Sequence, residues 1–162
     1  MVVPTYNRAE SLRRTLDSLV AQDCGADALE VVVSDDGSSV DTHELCDSYR
    51  DRLRLRYTYQ EDQGYRVAAA RNAGARLATA PVLAFLDSGT VAGPGFAAAH
   101  LRHHLGGGPT DERLAVVGYT HAYDNLDGAS ADILRLLAKD PPEVVVARLG
   151  DTPQLRDVRH PE

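Results

Sequence analysis

Leu29-Glu30-Val31-Val32-Val33-Ser34-Asp35-Asp36-Gly37-Ser38-Ser39 is the stretch whose reading decides the fold. Leu29 to Val33 is a short, nearly continuous apolar run, the pattern of a strand buried on both faces. It stops at a run of polar residues and glycine that is a loop by composition. That loop can cap a following helix at about residues 40–50.

Working outward, the same alternation of strand and helix recurs on both sides. Upstream, Val2-Val3 leaves room for a first strand of two or three residues. Asn7 has the chemistry of a helix N-cap, with Glu10 completing a capping box, and Leu12, Leu16, Leu19 and Val20 follow at helical spacing. The spacing predicts an amphipathic helix over 8–22. Downstream, Leu53, Leu55, Tyr57 and Tyr59 alternate with Arg54, Arg56 and Thr58, a strand with one wet face near a sheet edge. Gln63-Gly64-Tyr65-Arg66 leads into an Ala-rich helix ending near Ala78, and Pro81 punctuates it. Val82 to Leu86 reads as a second buried strand, stopping at Asp87-Ser88-Gly89. Gly93-Pro94-Gly95 turns the chain into a short helix ending near His104.

Beyond it, 106–109 (Gly-Gly-Gly-Pro) is a flexible connection, 114–119 reads as a strand and 130–138 as a helix. Pro141-Pro142 can open a helix through Leu149 with Asp140 as its cap, although Val144-Val145-Val146 suits a strand equally well. Strand and helix alternating over the first 90 residues imply an α/β fold. The sheet is mostly parallel, with right-handed crossovers and helices on both faces. Ligands of such sheets bind at the carboxyl ends of the strands. The most polar short motifs stand there: Thr5-Tyr6-Asn7, Asp35-Asp36 and Asp87.

The chain has 162 residues, enough for one domain with a real core. Its net charge of -7 argues against non-specific nucleic-acid binding, which needs a basic surface. A few arginines can still build a local phosphate site. Cys24 and Cys46 fit neither a zinc knuckle nor a redox pair and read as reduced thiols of a cytoplasmic protein. No apolar run approaches the roughly 18 residues of a membrane span, and no signal peptide opens the chain. The opening Met1-Val2-Val3-Pro4 and the ending Arg159-His160-Pro161-Glu162 give the expectation of a truncated chain, one portion of a longer protein.

Adjacent carboxylates after a buried strand repel each other, so something must offset Asp35 and Asp36. Either both cap and turn, or one caps while the other accepts from a ligand. The absence of G-x-G-x-x-G after the first strand counts against a dinucleotide cofactor. Asp87, at a second strand end, could bind Mg²⁺, Mn²⁺ or a ribose, though a hard cation ordinarily takes more than one carboxylate or a phosphate. Arg66 and Arg71 are the positive complement, with forks that suit phosphate and carbonyl oxygens. His100, His103 and His104 share a helix but lack a carboxylate to complete a metal set, so a solvated face is the better reading.

Val2-Val3-Pro4-Thr5-Tyr6-Asn7-Arg8, Val31 to Ser38, Gly64-Tyr65-Arg66 with Ala70-Arg71-Asn72-Ala73-Gly74, and Phe85-Leu86-Asp87-Ser88-Gly89 together resemble the ordered signature of family 2 glycosyltransferases over about residues 1–105. The resemblance implies a GT-A (nucleotide-diphospho-sugar transferase) fold and an inverting transfer from a nucleoside-diphosphate sugar, a UDP-sugar by default. It makes residues 1–105 a donor-binding region and 106–162 the start of an acceptor-side region, within a single domain. Carried over by position, Pro4, Thr5 and Tyr6 line the base and ribose pocket. Asp36 hydrogen-bonds the base, and Arg71 reaches the base or the diphosphate. Asp87 heads the Asp-x-Asp motif that holds a divalent cation, Mn²⁺ or Mg²⁺.

Two departures stand out. Gly89 occupies the place of the motif's second acidic residue, so Asp87 either contacts ribose or holds the cation through water. No residue before Glu162 matches the family's general base; Asp124, Asp127 and Asp132 are carboxylates that nothing marks, and the acceptor is not named. The competing readings are a non-catalytic nucleotide-sugar-binding module and a sugar nucleotidyltransferase. The latter needs a Gly-rich, basic loop that residues 4–10 do not supply.

Overall fold

The computed structural model describes residues 1–105, 116, 139 and 140. The chain divides into two compact units, Met1–Leu114 and Ala115–Glu162. In the first, β1 (Val2–Thr5), α1 (Ala9–Val20), β2 (Glu30–Asp35), α2 (Thr42–Asp47), β3 (Arg54–Tyr59), α3 (Val67–Leu77) and α4 (Phe96–Leu105) follow in order, with a 3₁₀ turn at Ala26–Ala28. The sheet is parallel in the order β1-β2-β3. Val2 pairs with Val32 and Thr5 with Asp35, while Glu30 pairs with Arg54 and Asp35 with Tyr59. The strands and helices expected at 114–119, 130–138 and 141–149, and the connection at 106–109, lie outside the described residues.

Alternation along the strands sends successive side chains to opposite faces. Val3, Val31, Val33 and Leu55 join Leu12, Leu16 and Leu19 of α1 and Leu45 of α2 in one apolar core. Each buried Val or Leu contributes about 1.5–3 kcal/mol relative to exposure, so this face dominates the stability of the unit. The opposite face carries Val2, Val32 and Ser34 and packs on α3. Its small residues permit a close approach: Ser34 Oγ donates to Ala70 O at 2.6 Å. A Cβ on Gly74 would stand 2.5 Å from Val2 Cγ1.

β3 is the edge strand the sequence predicts, but its Arg-bearing face is not simply wet. Arg56 donates to Leu77 O at 2.6 Å and pairs with Glu30 at 3.5 Å, so α3 covers part of it. Glu30, 3% exposed at the start of β2, accepts from Thr79 N (2.7 Å), Thr79 Oγ1 (3.0 Å) and Ala80 N (3.2 Å). Burial by itself pushes this carboxyl up; the Thr79 and Ala80 bonds and the nearby Arg54 outweigh it and hold the group below the usual carboxylate range.

Two expectations are corrected. Val82–Leu86 is not a strand buried on both faces. Val2 N donates to Ala84 O at 2.8 Å and Leu86 N to Val2 O at 3.0 Å, a single parallel bridge, and Leu83 and Phe85 are exposed. A short apolar run reads the same whether one face or both are covered. Asn7 does not cap α1, whose N-cap is Arg8 with no side-chain cap bond. At φ 50 it lies in the left-handed region, which turns its side chain toward the neighbouring loop. Likewise α2 is capped by Asp41, which accepts from Glu44 N at 2.8 Å, rather than by the 34–39 loop.

Two stability predictions follow from this packing. Gly74→Ala gains about 1 kcal/mol of helix propensity but forces Val2 aside, at a cost of about 1–3 kcal/mol, for a net loss in urea unfolding. Glu30 has a depressed folded pKa, so its contribution is present above the usual carboxylate range and fades as pH falls through the folded value. Glu30→Gln should therefore lower stability by about 1–3 kcal/mol at pH 7. The gap to the parent should narrow as melting is repeated toward pH 3.

Candidate functional site

The parallel register brings the carboxyl ends of β1, β2 and β3 to one edge, and the bridge at Val2 adds the end of 82–86. Thr5, Asp35-Asp36, Tyr59 and Asp87 therefore share that edge. The adjacent carboxylates of β2 resolve their repulsion by diverging. Asp35, 1% exposed, accepts from Tyr57 Oη at 2.9 Å and from Ser38 N at 2.8 Å. Tyr57 lies on the α2 side, with its ring against His43. Burial and the Asp35 carboxylate raise the Tyr57 phenol well above its ordinary value, so it stays a donor. Asp35 is thus a structural cap.

Asp36, 5% exposed, takes the opposite side. It accepts from Gln60 Nε2 at 2.5 Å and from Arg66 N at 2.9 Å, the latter at the start of α3. One carboxylate thereby ties together the ends of β2, β3 and α3. A carboxylate has about four acceptor positions, so two protein bonds leave capacity for a ligand N–H or hydroxyl.

The loops around Asp36 are pinned in turn. Tyr6, 45% exposed, donates to Asp62 Oδ2 at 2.8 Å, and Asp62 also accepts from Gly64 N at 2.9 Å. The Gly64 and Tyr6 bonds hold the Asp62 carboxyl below its usual range, and the same Tyr6 bond raises the phenol. Gly37, at φ 95, lies so close beneath Asp62 that a Cβ would strike its backbone. Asn7 Oδ1 accepts from Ser39 N (2.8 Å) and Ser39 Oγ (3.0 Å), while Asn7 N donates to Ser38 Oγ at 2.8 Å. The β1–α1 and β2–α2 loops are stapled into one surface.

The remaining predicted residues occupy distinct places. Pro4 is buried in β1 opposite Ser34; Thr5, also buried, reaches Ser88 Oγ at 3.5 Å. Arg66 contributes its backbone N–H to Asp36, and its guanidinium turns to Gln63. Arg71 and Asp87 meet as an ion pair, Arg71 Nη2 to Asp87 Oδ1 at 2.5 Å. Among the described residues no group of three or more His, Cys, Asp or Glu is arranged to hold a metal ion.

The segment after Asp87 is set by α1. Thr15 Oγ1 accepts from Gly89 N at 2.9 Å and donates to Thr90 O at 2.9 Å. Ser18 Oγ accepts from Ala92 N at 3.0 Å, and Gln22 bonds both Gly93 O (2.8 Å) and Ala97 N (2.9 Å). Sequence reasoning missed Gln60, Asp62, Tyr57 and this α1 row. A polar side chain at helical spacing looks the same whether it faces water or clamps a loop. An apolar groove lined by Met1, Glu30, Pro81, Ala84, His100 and Leu101 lies at the amino end of the sheet, away from Asp36 and Asp87.

Residues 1–117 match the family described as Glycosyl transferase family 2. The chain is 48% identical over 162 residues to validoxylamine A glucosyltransferase of Streptomyces hygroscopicus subsp. jinggangensis (strain 5008). That alignment covers 100% of this chain and 37% of the relative, so the chain spans little over a third of that protein. The structure of S. aureus TarS 1-349 in complex with UDP-GlcNAc superposes with a TM-score of 0.56 at 31% identity, covering 64% of this chain and 30% of that one. Mannosyltransferase PcManGT from Pyrobaculum calidifontis, in complex with GDP-Man and Mn2+, superposes with a TM-score of 0.51 at 30% identity, over 61% of this chain and 29% of that one. Among the described residues no helix is long and apolar enough to cross a membrane. A match over residues 1–117 of 162, on a parallel α/β sheet that gathers Asp36, Arg71 and Asp87 at its carboxyl edge, leaves one conclusion: the chain belongs to glycosyl transferase family 2.

Proposed function

We propose that this chain is the donor-binding part of an inverting glycosyltransferase that takes a nucleoside-diphosphate sugar, a UDP-sugar by preference. The observation that carries the reading is Asp36: a nearly buried carboxylate at the strand edge, fixed by Gln60 and Arg66 N, with acceptor capacity toward the cleft side of β2. A base N–H or ribose hydroxyl can complete its bonding. Tyr6 offers a half-exposed ring beside it, and Pro4 and Thr5 form the floor of that corner. Arg66 and Arg71 supply the cationic forks for a diphosphate, and Asp87 stands where a ribose or the sugar end of the donor arrives. The relatives support the same direction, since TarS holds UDP-GlcNAc and PcManGT holds GDP-Man.

In an inverting transfer an acceptor hydroxyl attacks the anomeric carbon as the nucleoside diphosphate leaves, and a positioned base takes the hydroxyl proton. None of the carboxylates described at this edge is placed for that task. Asp35 is buried against Tyr57 and Ser38, Asp36 is committed to Gln60 and Arg66 N, and Asp87 to Arg71. Asp124, Asp127 and Asp132 lie outside the described residues. Residues 1–105 are accordingly the donor region and 106–162 the beginning of the acceptor side.

Calorimetric titration of the chain with UDP, dTDP and GDP tests this, with UDP expected to bind most tightly; no heat with any of them overturns the reading. Asp36→Ala removes an acceptor of charge-assisted bonds and should weaken UDP about 10–100-fold. Unchanged affinity would take Asp36 out of the pocket. Transfer of the sugar is expected once the sequence downstream of Glu162 in the longer relatives is appended, with the 162-residue chain itself binding donor and turning over little or not at all.

A further inference from the structure

We infer that this donor site takes its nucleotide without a divalent cation, the Asp87 carboxylate being held by the Arg71 guanidinium in place of a metal; the inference rests on reading this edge as a nucleotide-sugar site.

The residues present do not fit the cation that the Asp-x-Asp position implies. A hard divalent cation takes six or more oxygen ligands and is bound through carboxylates together with donor phosphates. Asp87 Oδ1 lies 2.5 Å from Arg71 Nη2. A guanidinium is always charged and carries only donors, so it occupies the carboxylate and repels a second cation at the same atom. The motif's other carboxylate is replaced by Gly89, and the turn requires that glycine. Its φ is 104, a conformation that strains any L side chain by about 1–3 kcal/mol.

The turn cannot relax cheaply to accept an acidic residue. Gly89 N is fixed on Thr15 Oγ1, and the same hydroxyl holds Thr90 O, so α1 clamps both sides of the position. Thr15 is itself fully buried. The other carboxylates of the edge have partners as well: Asp36 has Gln60 and Arg66 N, and Asp62 has Tyr6 and Gly64 N. Arg71 has five donors, of which one is spent on Asp87. The others can take phosphoryl oxygens, which gives the diphosphate its countercharge from the protein.

Two measurements on the 162-residue chain decide the matter. Mn²⁺ titrated alone, followed by the electron paramagnetic resonance of the free ion, should show no binding in the millimolar range; binding that Asp87→Asn abolishes overturns the inference. UDP titrated calorimetrically in EDTA and again in Mn²⁺ should give dissociation constants within about twofold, and tightening by about tenfold or more with Mn²⁺ overturns it. Arg71→Gln, which breaks a half-exposed ion pair worth at most about 1 kcal/mol of stability, should fold and lose about tenfold in UDP affinity in EDTA. Unchanged affinity in that variant overturns the role given to Arg71. The Mn²⁺ titration needs no nucleotide, so absence of UDP heat in both buffers defeats the nucleotide-sugar reading and leaves the cation result standing separately.

Discussion

The parallel ladder that pairs Val2–Thr5 with Val32–Asp35, and Glu30–Asp35 with Arg54–Tyr59, is the constraint from which the site descends. Parallel strands end on the same side, so the residues that follow β1, β2 and β3 are neighbours although they lie tens of positions apart in the chain. A slip of one residue in β2 would send its apolar side chains to the α3 face and exchange Asp35 with Asp36. The register is strongly specified because both faces are occupied. Val31 and Val33 enter the core with α1 and α2, and Val32 and Ser34 meet α3 at a distance only Gly74 and Ala70 permit.

That specification divides labour between two adjacent aspartates. Asp35 belongs to the core side, where Tyr57 and Ser38 consume its oxygens. Asp36 belongs to the α3 side, where it ties β2, the end of β3 and the first backbone N–H of α3 into one unit. The burial of two neighbouring carboxylates is tolerable because each has its own donors. The donor site is built on the second of them.

The edge is supported from both sides by unremarked polar residues. Asn7 joins the loops after β1 and β2, and Thr15, Ser18 and Gln22 of α1 hold the segment that follows Asp87. Glu30 closes the far end of the sheet against the end of α3. Rigid elements thereby carry the loops that face the ligand, as precise positioning of a bound nucleotide requires.

The local sequence determined what local interactions can determine. Apolar periodicity located α1, β2, β3, α3 and α4, and the polar motifs at the strand ends marked Asp36, Arg71 and Asp87 as candidates. Hydrophobic pattern and turn chemistry act between residues a few positions apart, and they leave their mark in order along the chain. Tertiary structure decided which candidate meets which. Asn7 left its helix to hold Ser39, 32 positions away; Val82–Leu86 kept one bridge and an open face; Arg71 closed on Asp87. Gln60, Asp62 and Thr15 acquired their roles only through partners far away in sequence, because a hydrogen bond across a fold carries no periodicity that a single chain of letters can display.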